Sequence, residues 1–344
     1  MANKRTMDMT SKTMLYEVSR DLPTSPIEPL LVLGAALLVM VLIPGVGRQV
    51  NGSTRWLPFG IFNLQASELV KLFVIVYLAG YLVRRGDEVR NSIKGFLKPL
   101  AILALLSLLL LMEPDFGSTA VMFATALGMM FLGGVRLWEF FALLGVVVAA
   151  MAGLALSSPY RLERLTTFLN PWADPFDSGF QLTQALIAFG RGEWFGVGLG
   201  SGIQKLFYLP EAHTDFVFAV IAEELGMVGA MTVLLLFACV IWRAFLIARR
   251  AERLDKPFAA YIAYGIGLWI GIQSFINLGV NMGVLPTKGL TLPLMSYGGS
   301  SIIAMCMAIA LLLRVDIELR GWPADSQRKG SQRDFKPGKR RRAA

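Results

Sequence analysis

Eight long apolar stretches interrupt this chain, and they leave few ways for it to fold. They run over about Leu30–Gly47, Glu68–Val83, Pro99–Met112, Ser118–Gly134, Trp138–Ser158, Phe216–Leu246, Ala259–Leu285 and Gly299–Val315. A helix needs about 20 apolar residues to cross the hydrocarbon, so the shorter stretches call for tilt or borrowed flanking residues. The runs are continuous rather than alternating, which argues against a bilayer-crossing sheet. A mean hydropathy of +0.58 points the same way. The chain reads as all-α integral membrane: a polytopic helical bundle of about 8 transmembrane helices.

Charge then orients the bundle. With loops numbered alternately from a cytoplasmic amino terminus, 25 of the 33 lysines and arginines fall inside and 7 outside, while Lys71 lies within a span. The positive-inside rule therefore predicts that both termini are cytoplasmic. The net charge of +9 is mostly this topology signal. The Lys339-Arg340-Arg341-Arg342 run is read as touching anionic lipid rather than nucleic acid. Cys239 and Cys306 sit mid-span among apolar neighbours and read as buried structural thiols. No apolar core of a cleavable signal is visible in the first 28 residues.

This gives a polar head over residues 1–28, a membrane domain over 29–318 and a disordered-looking basic tail over 319–344. The longest connection, 159–215, lies on the outer side and is too rich in Trp, Pro and Gly for a linker. A loop of that length is expected to fold onto the bundle and carry function. Within it, Gln181, Gln184 and Arg191 alternate with Leu182, Ala185, Leu186 and Phe189 at helical spacing, predicting a short amphipathic helix at the interface.

The chemistry-bearing residues gather on the outer side. Asp215 opens the sixth stretch two residues after His213, the only histidine. An acid there could simply cap the helix, contributing about 1 kcal/mol. Capping does not account for Glu223 and Glu224 two turns deeper, where an unpaired carboxylate costs about 2.5–3.5 kcal/mol. Glu68 and Lys71, spaced i,i+3, are either one local salt bridge or part of the same outer cavity, setting the protonation of Asp215. Asp115, in the reversal Glu113-Pro-Asp-Phe-Gly, is either a turn residue or a third acid at that cavity. The segment Leu285–Ser301 breaks what would otherwise continue as membrane helix, and broken backbone at that depth belongs beside a wet cavity or packed protein.

Several of these segments resemble the SEDS family of bacterial cell-wall proteins. They are Tyr208-Leu-Pro-Glu-Ala-His-Thr-Asp-Phe, Leu285-Pro-Thr-Lys-Gly-Leu-Thr-Leu-Pro-Leu, Ser296-Tyr-Gly-Gly-Ser-Ser, Asn170-Pro-Trp-Ala-Asp-Pro-Phe and Gln181-Leu-Thr-Gln-Ala-Leu-Ile-Ala-Phe-Gly-Arg-Gly. They occur in the family's order, the likeness spans about Gly45 to Arg320, and the motif wording is closer to the division branch than to the elongation branch. The family usually has ten spans, so two amino-terminal helices look absent. Two motifs depart from the family's form: Gln65-Ala-Ser-Glu68 stands for Gln-Pro-Ser-Glu, and Glu113-Pro-Asp115 for Gln-Pro-Asp.

The resemblance implies a peptidoglycan glycosyltransferase of the inner membrane that polymerises lipid II into β-1,4 glycan strands at the outer face, for septal synthesis. The family's essential aspartate falls on Asp215, and its membrane Glu and Lys on Glu68 and Lys71. Asp215 would be the general base on the acceptor hydroxyl. Lys71, Arg191, Lys205 and Lys288 are candidates for the charge on the departing diphosphate. His213, Gln184 and Ser296 lie in the matching motifs as supporting residues, His213 more to orient the loop than to bind metal. A divalent cation (Mg or Mn) could assist, though no ligand cluster in the sequence establishes one. Implied partners are the growing glycan strand, a class B penicillin-binding transpeptidase of the FtsI kind and other membrane proteins of the division machinery. The rival readings are a lipid II flippase and a non-catalytic division scaffold.

Overall fold

The computed structural model describes residues 27–50, 53–59, 62–156, 168–177, 179–286 and 289–333. The polar head up to residue 26 and the Lys339–Arg342 run lie outside the described residues. The described chain folds as α1 Ile27–Leu42, strands β1 Arg48–Val50, β2 Ser53–Phe59 and β3 Phe62–Gln65, then α2 Ala66–Asn91, α3 Ile93–Met112, α4 Phe116–Leu132 and α5 Leu137–Leu156. A short α6, Phe180–Gly192, precedes α7 Val217–Arg253, α8 Pro257–Asn281 and α9 Gly299–Arg333. Each of the eight apolar stretches coincides with one long helix. Helices α2, α3, α7 and α8 are each long and apolar enough to cross a membrane unaided. The predicted amphipathic helix is α6.

In lipid, helices gain little from burying apolar surface against one another and associate by close packing, which small residues permit. The core shows this directly. A Cβ on Gly265 of α8 would lie 2.6 Å from Ile75 of α2 and 2.8 Å from the Met129 sulfur of α4. A Cβ on Gly128 of α4 would meet Leu268 of α8 at 2.8 Å. Helix α2 is thus enclosed along most of its length, with Val70, Val74, Leu78 and Leu82 all buried. The outward faces of α3 and α7 carry exposed Leu105, Leu108, Leu235 and Leu236.

Three features differ from the sequence expectations. The connection between α1 and α2 is an antiparallel three-stranded meander, β1-β2-β3, with a bulge between Arg48 and Gln49. Cys239 and Cys306 are exposed rather than buried: each falls on a helix face turned away from the bundle, where apolar neighbours in sequence are no guide to depth. Helix α9 continues to Arg333 instead of ending near Leu319; where it leaves the apolar stretch it carries pairs one turn apart, Arg314 with Glu318 at 2.8 Å and Arg320 with Asp316.

Helix α7 is broken near its start. Gly226 has φ 65° and ψ −163°, a conformation essentially restricted to glycine. The chain after α6 fits against the break. Val197 and Gly198 amides donate to the Glu223 and Glu224 carbonyls at 3.0 and 3.1 Å. The Met227 and Val228 amides donate to the Glu193 and Trp194 carbonyls at 2.9 and 3.2 Å. Four main-chain groups at the break, two carbonyls and two amides, thus find partners in the loop, as irregular backbone beside a bilayer requires.

Candidate active site

The connections α1–α2, α3–α4, α5–α7 and α8–α9 all lie at one end of the bundle, and they bring the candidate residues together there. Asp215 stands two residues before α7, on the short run that follows Glu211. Its main chain is held from two sides. Asn277 and Asn281 on α8 both donate through Nδ2 to the Asp215 carbonyl, at 2.9 and 2.8 Å. The Asn281 Oδ1 in turn accepts from the Ala219 amide at 3.1 Å, so one buried amide side chain clamps both sides of the helix start. From the opposite side, the Ser296 hydroxyl donates to the Thr214 carbonyl and accepts from the Leu292 amide at 2.7 Å. The Tyr297 amide donates to the His213 carbonyl at 2.8 Å. His213 thus contributes its main chain to the clamp while its side chain is exposed.

The Asp215 carboxylate is half-buried and faces the segment before α9: a Cβ on Gly289 would lie 2.9 Å from its Oδ2. Burial, reinforced by Glu211 and Asp115 and opposed by Arg55, pushes its carboxyl up to about 7. Asp115 itself caps α4, accepting from the Ser118 amide at 3.1 Å, and its other oxygen takes the Gln65 side-chain amide at 3.4 Å. Arg55 on β2 donates to the carbonyls of Glu113 (3.3 Å) and Pro114, tying the sheet to this reversal. Glu113 is buried, and neither of its carboxylate oxygens has a hydrogen-bond partner. Burial and the neighbouring Asp115 push its carboxyl up to about 8, against a smaller pull from Arg55.

Deeper in the same end, Glu68 and Lys71 of α2 form a buried pair at 2.9 Å. Lys71 also donates to Gln273 Oε1 at 2.8 Å and lies 5.2 Å from the centre of the Trp269 ring. Trp269 shares the same acceptor at 2.8 Å, and Gln273 Nε2 reaches the Thr291 carbonyl at 3.0 Å. Trp269, Gln273, Asn277 and Asn281 recur every four residues, so α8 presents one continuous polar stripe from this pair to Asp215. The expectation that Glu68 or Lys71 sets the protonation of Asp215 is corrected: their opposite charges are spent on each other, and the groups that act on Asp215 are Glu211, Arg55 and Asp115.

Glu223 and Glu224 find partners in the loop rather than on α2. Glu223, fully buried, accepts from the amides of Ile203 and Gln204 at 3.1 and 3.2 Å and pairs with Arg191 at 3.2 Å. Glu224 accepts from the Gly200 amide at 3.1 Å and pairs with Lys205. Two of the cations nominated for a phosphate are therefore engaged with acids, and their structural role is to strap the loop to α7. Gln184 is half-buried on α6, whose Ala185 and Ala188 pack with Leu209, Ala212 and Phe216 over the start of α7. Lys288 lies outside the described residues.

No three His, Cys, Asp or Glu side chains among the described residues converge as a metal-ligand set. The sequence reading missed Arg55, Gln65, Gln273, Asn277, Asn281 and Gly289. The amides on α8 had a legible signal, polar residues four apart inside an apolar span; Arg55 lies in the outer segment Asn51-Gly-Ser-Thr-Arg-Trp56 and Gln65 in the motif Gln65-Ala-Ser-Glu68, but their contacts exist only once the sheet folds them onto the reversal before α4.

The family described as "Cell cycle protein", comprising FtsW, RodA and SpoVE, matches residues 12–321. A protein of Nitrosococcus halophilus named "Probable peptidoglycan glycosyltransferase FtsW" is 64% identical over 291 residues, covering 85% of this chain and 75% of the relative. One of the same name from Methylococcus capsulatus is 64% identical over 285 residues, covering 83% and 72%. Among solved structures, a chain from "Structural coordination of polymerization and crosslinking by a peptidoglycan synthase complex" superposes with a TM-score of 0.70. It is 28% identical, over 91% of this chain and 88% of that one. The rod shape determining protein RodA of Thermus thermophilus superposes with a TM-score of 0.59 at 27% identity, over 89% and 80%.

Proposed function

The chain belongs to the FtsW/RodA/SpoVE family of cell cycle proteins, and from that premise we propose how its site works. It is a multi-pass membrane protein and a peptidoglycan glycosyltransferase. The substrate is lipid II, and the site end of the bundle faces outward, with both termini in the cytoplasm and the protein at the septum. The 4-hydroxyl of the acceptor GlcNAc attacks the anomeric carbon of the growing strand. Its proton passes to the Asp215 carboxylate as the new C1–O4 bond forms. The bond from C1 to the diphosphate breaks, and the electron pair leaves with undecaprenyl diphosphate. One general base suffices for this inversion.

The observation that carries the reading is the state of Asp215. Its main chain is immobilised by Asn277, Asn281 and Ser296, while its carboxyl is pushed up to about 7. A base poised near the working pH combines a substantial ionised fraction with far more proton affinity than an ordinary carboxylate. Purified protein with fluorescent lipid II tests it. Asp215→Asn is expected to abolish polymer; lipid scrambling without polymer in the parent protein, or full polymer from the variant, would refute the reading.

The solved relative in a synthase complex that coordinates polymerisation with crosslinking supports a matching partner here, a class B penicillin-binding transpeptidase that joins the strands this chain makes. Co-purification from membranes, scored for a penicillin-labelled band, checks that partner.

A further inference from the structure

The leaving diphosphate gains negative charge as the C1–O bond breaks and needs a cation whose charge is not already spent. Of the four nominated, Lys71 is paired with Glu68, Arg191 with Glu223 and Lys205 with Glu224, and Lys288 lies outside the described residues. Arg55 differs in kind. Its acceptors are two neutral main-chain carbonyls, of Glu113 and Pro114, so it is anchored without being neutralised. It is half-exposed at the mouth of the site, and its field is felt by Asp215.

Glu113 is one acid whose charge would act on Arg55, and its own carbonyl holds that side chain. Its carboxyl is 1% exposed with no partner on either oxygen. An ionised carboxylate stranded in this way is costly, whereas the protonated acid is not. We propose, resting on the glycosyltransferase reading above, that Arg55 binds the departing diphosphate and that Glu113 is a positioning residue whose uncharged form keeps the Arg55 charge available. The elevated Glu113 carboxyl, about 8, fits a group that is mostly protonated at neutral pH.

Among the described residues, the other charges bearing on the pair are Asp115 in the same reversal and Asp215 and Glu211 before α7. Gln65 of β3 and Gly289 before α9 bring no charge, and the Glu68–Lys71 pair is balanced internally. In the transfer itself, Arg55 N–H groups donate to the diphosphate oxygens as the electron pair arrives, and the acceptor proton still goes to Asp215. The cycle needs no further reactant.

The test uses the full-length chain in phosphatidylethanolamine–phosphatidylglycerol vesicles, with lipid II polymerisation followed from pH 5.5 to 10 and undecaprenyl diphosphate added as inhibitor. The parent profile is expected to rise through about pH 7 as Asp215 ionises and to fall through about pH 8 as Glu113 ionises. Glu113→Gln removes the second ionisation, so the falling limb moves up by at least one pH unit while the rising limb stays. Arg55→Gln lowers the rate and weakens inhibition by undecaprenyl diphosphate, each by at least about tenfold, the scale of losing one charge-assisted contact. Arg55→Lys retains more of both. Superimposable profiles for Glu113→Gln, unweakened inhibition in Arg55→Gln, or equal losses in Arg55→Gln and Arg55→Lys at unchanged melting temperature would overturn the inference. Asp215→Asn separates the two levels: if it still polymerises, the reading beneath fails, and if it is dead while Arg55→Gln is inhibited normally, only this assignment fails.

Discussion

Replacing Gly226 by alanine tests whether the break in α7 is held by the loop laid against it. At φ 65° and ψ −163° any side chain is strained by about 1–3 kcal/mol. The new Cβ would also lie 2.4 Å from the Gly196 amide nitrogen and 2.6 Å from that of Phe195, both main-chain atoms with no rotamer to yield. Relief requires the loop to lift, at the expense of the four hydrogen bonds linking 193–198 to 223–228. At about 0.5–1 kcal/mol net each, the combined penalty is roughly 3–7 kcal/mol, confined to the clasp. Hydrogen exchange in nanodiscs reads this locally. Amides of 193–200 and 222–228 should exchange about 10²–10⁵-fold faster, since each 1.4 kcal/mol is a factor of ten. Gly190→Ala is the control: on α6 its Cβ meets nothing within 4 Å, and removing a helical glycine should stabilise by about 0.5–1 kcal/mol. Unchanged protection in Gly226→Ala would show that the break is not maintained by this contact.

Asp215→Asn should lower the polymerisation rate by about 10²–10⁴-fold, the usual contribution of a general base. It should also raise the melting temperature above pH 7. The folded-state carboxyl at about 7 lies above its ordinary 3.8, so the parent protein loses stability as pH rises through that window and the amide does not. At pH 4 the two should melt alike. Gly289→Ala, which would place a methyl group 2.9 Å from Asp215 Oδ2, should cut the rate at least tenfold with little change in melting, and a normal rate would count against the placement of the carboxylate. Lys71→Met strands the buried Glu68 carboxylate, at about 3–5 kcal/mol; adding Glu68→Gln should recover most of the lost melting temperature, and failure to do so would deny the pairing.

The spans were legible because apolar run length alone decides them, and α6 because its alternation is strong. The break at Gly226 was not: one glycine inside Glu-Glu-Leu-Gly-Met-Val reads as a tolerable helical residue, and its conformation is imposed by a loop about thirty residues upstream. The same distance hid the partners of Glu223 and Glu224, for which only i,i+3 and i,i+4 neighbours are visible in sequence. The small sheet escaped because its strands are short and lie among residues that read as turns, yet it delivers Arg55 to the site. The family resemblance singled out Asp215 through its motif; the side chains that fix its main chain, Asn277, Asn281 and Ser296, belong to two later segments that meet it only in space.

The 37 residues of α7 would make a rod of about 55 Å, nearly twice the hydrocarbon thickness of about 30 Å. The joint at Gly226 instead leaves Met227–Arg253, about 40 Å, to deal with the lipid, and a stub of about 13 Å, Val217–Leu225, that belongs to its protein neighbours. The 193–198 loop is bonded to both sides of the joint, so the angle between stub and rod is fixed by protein contacts. The position of the Asp215 main chain is thus set by α8, and that of the stub by the strapped loop, rather than by the surrounding lipid.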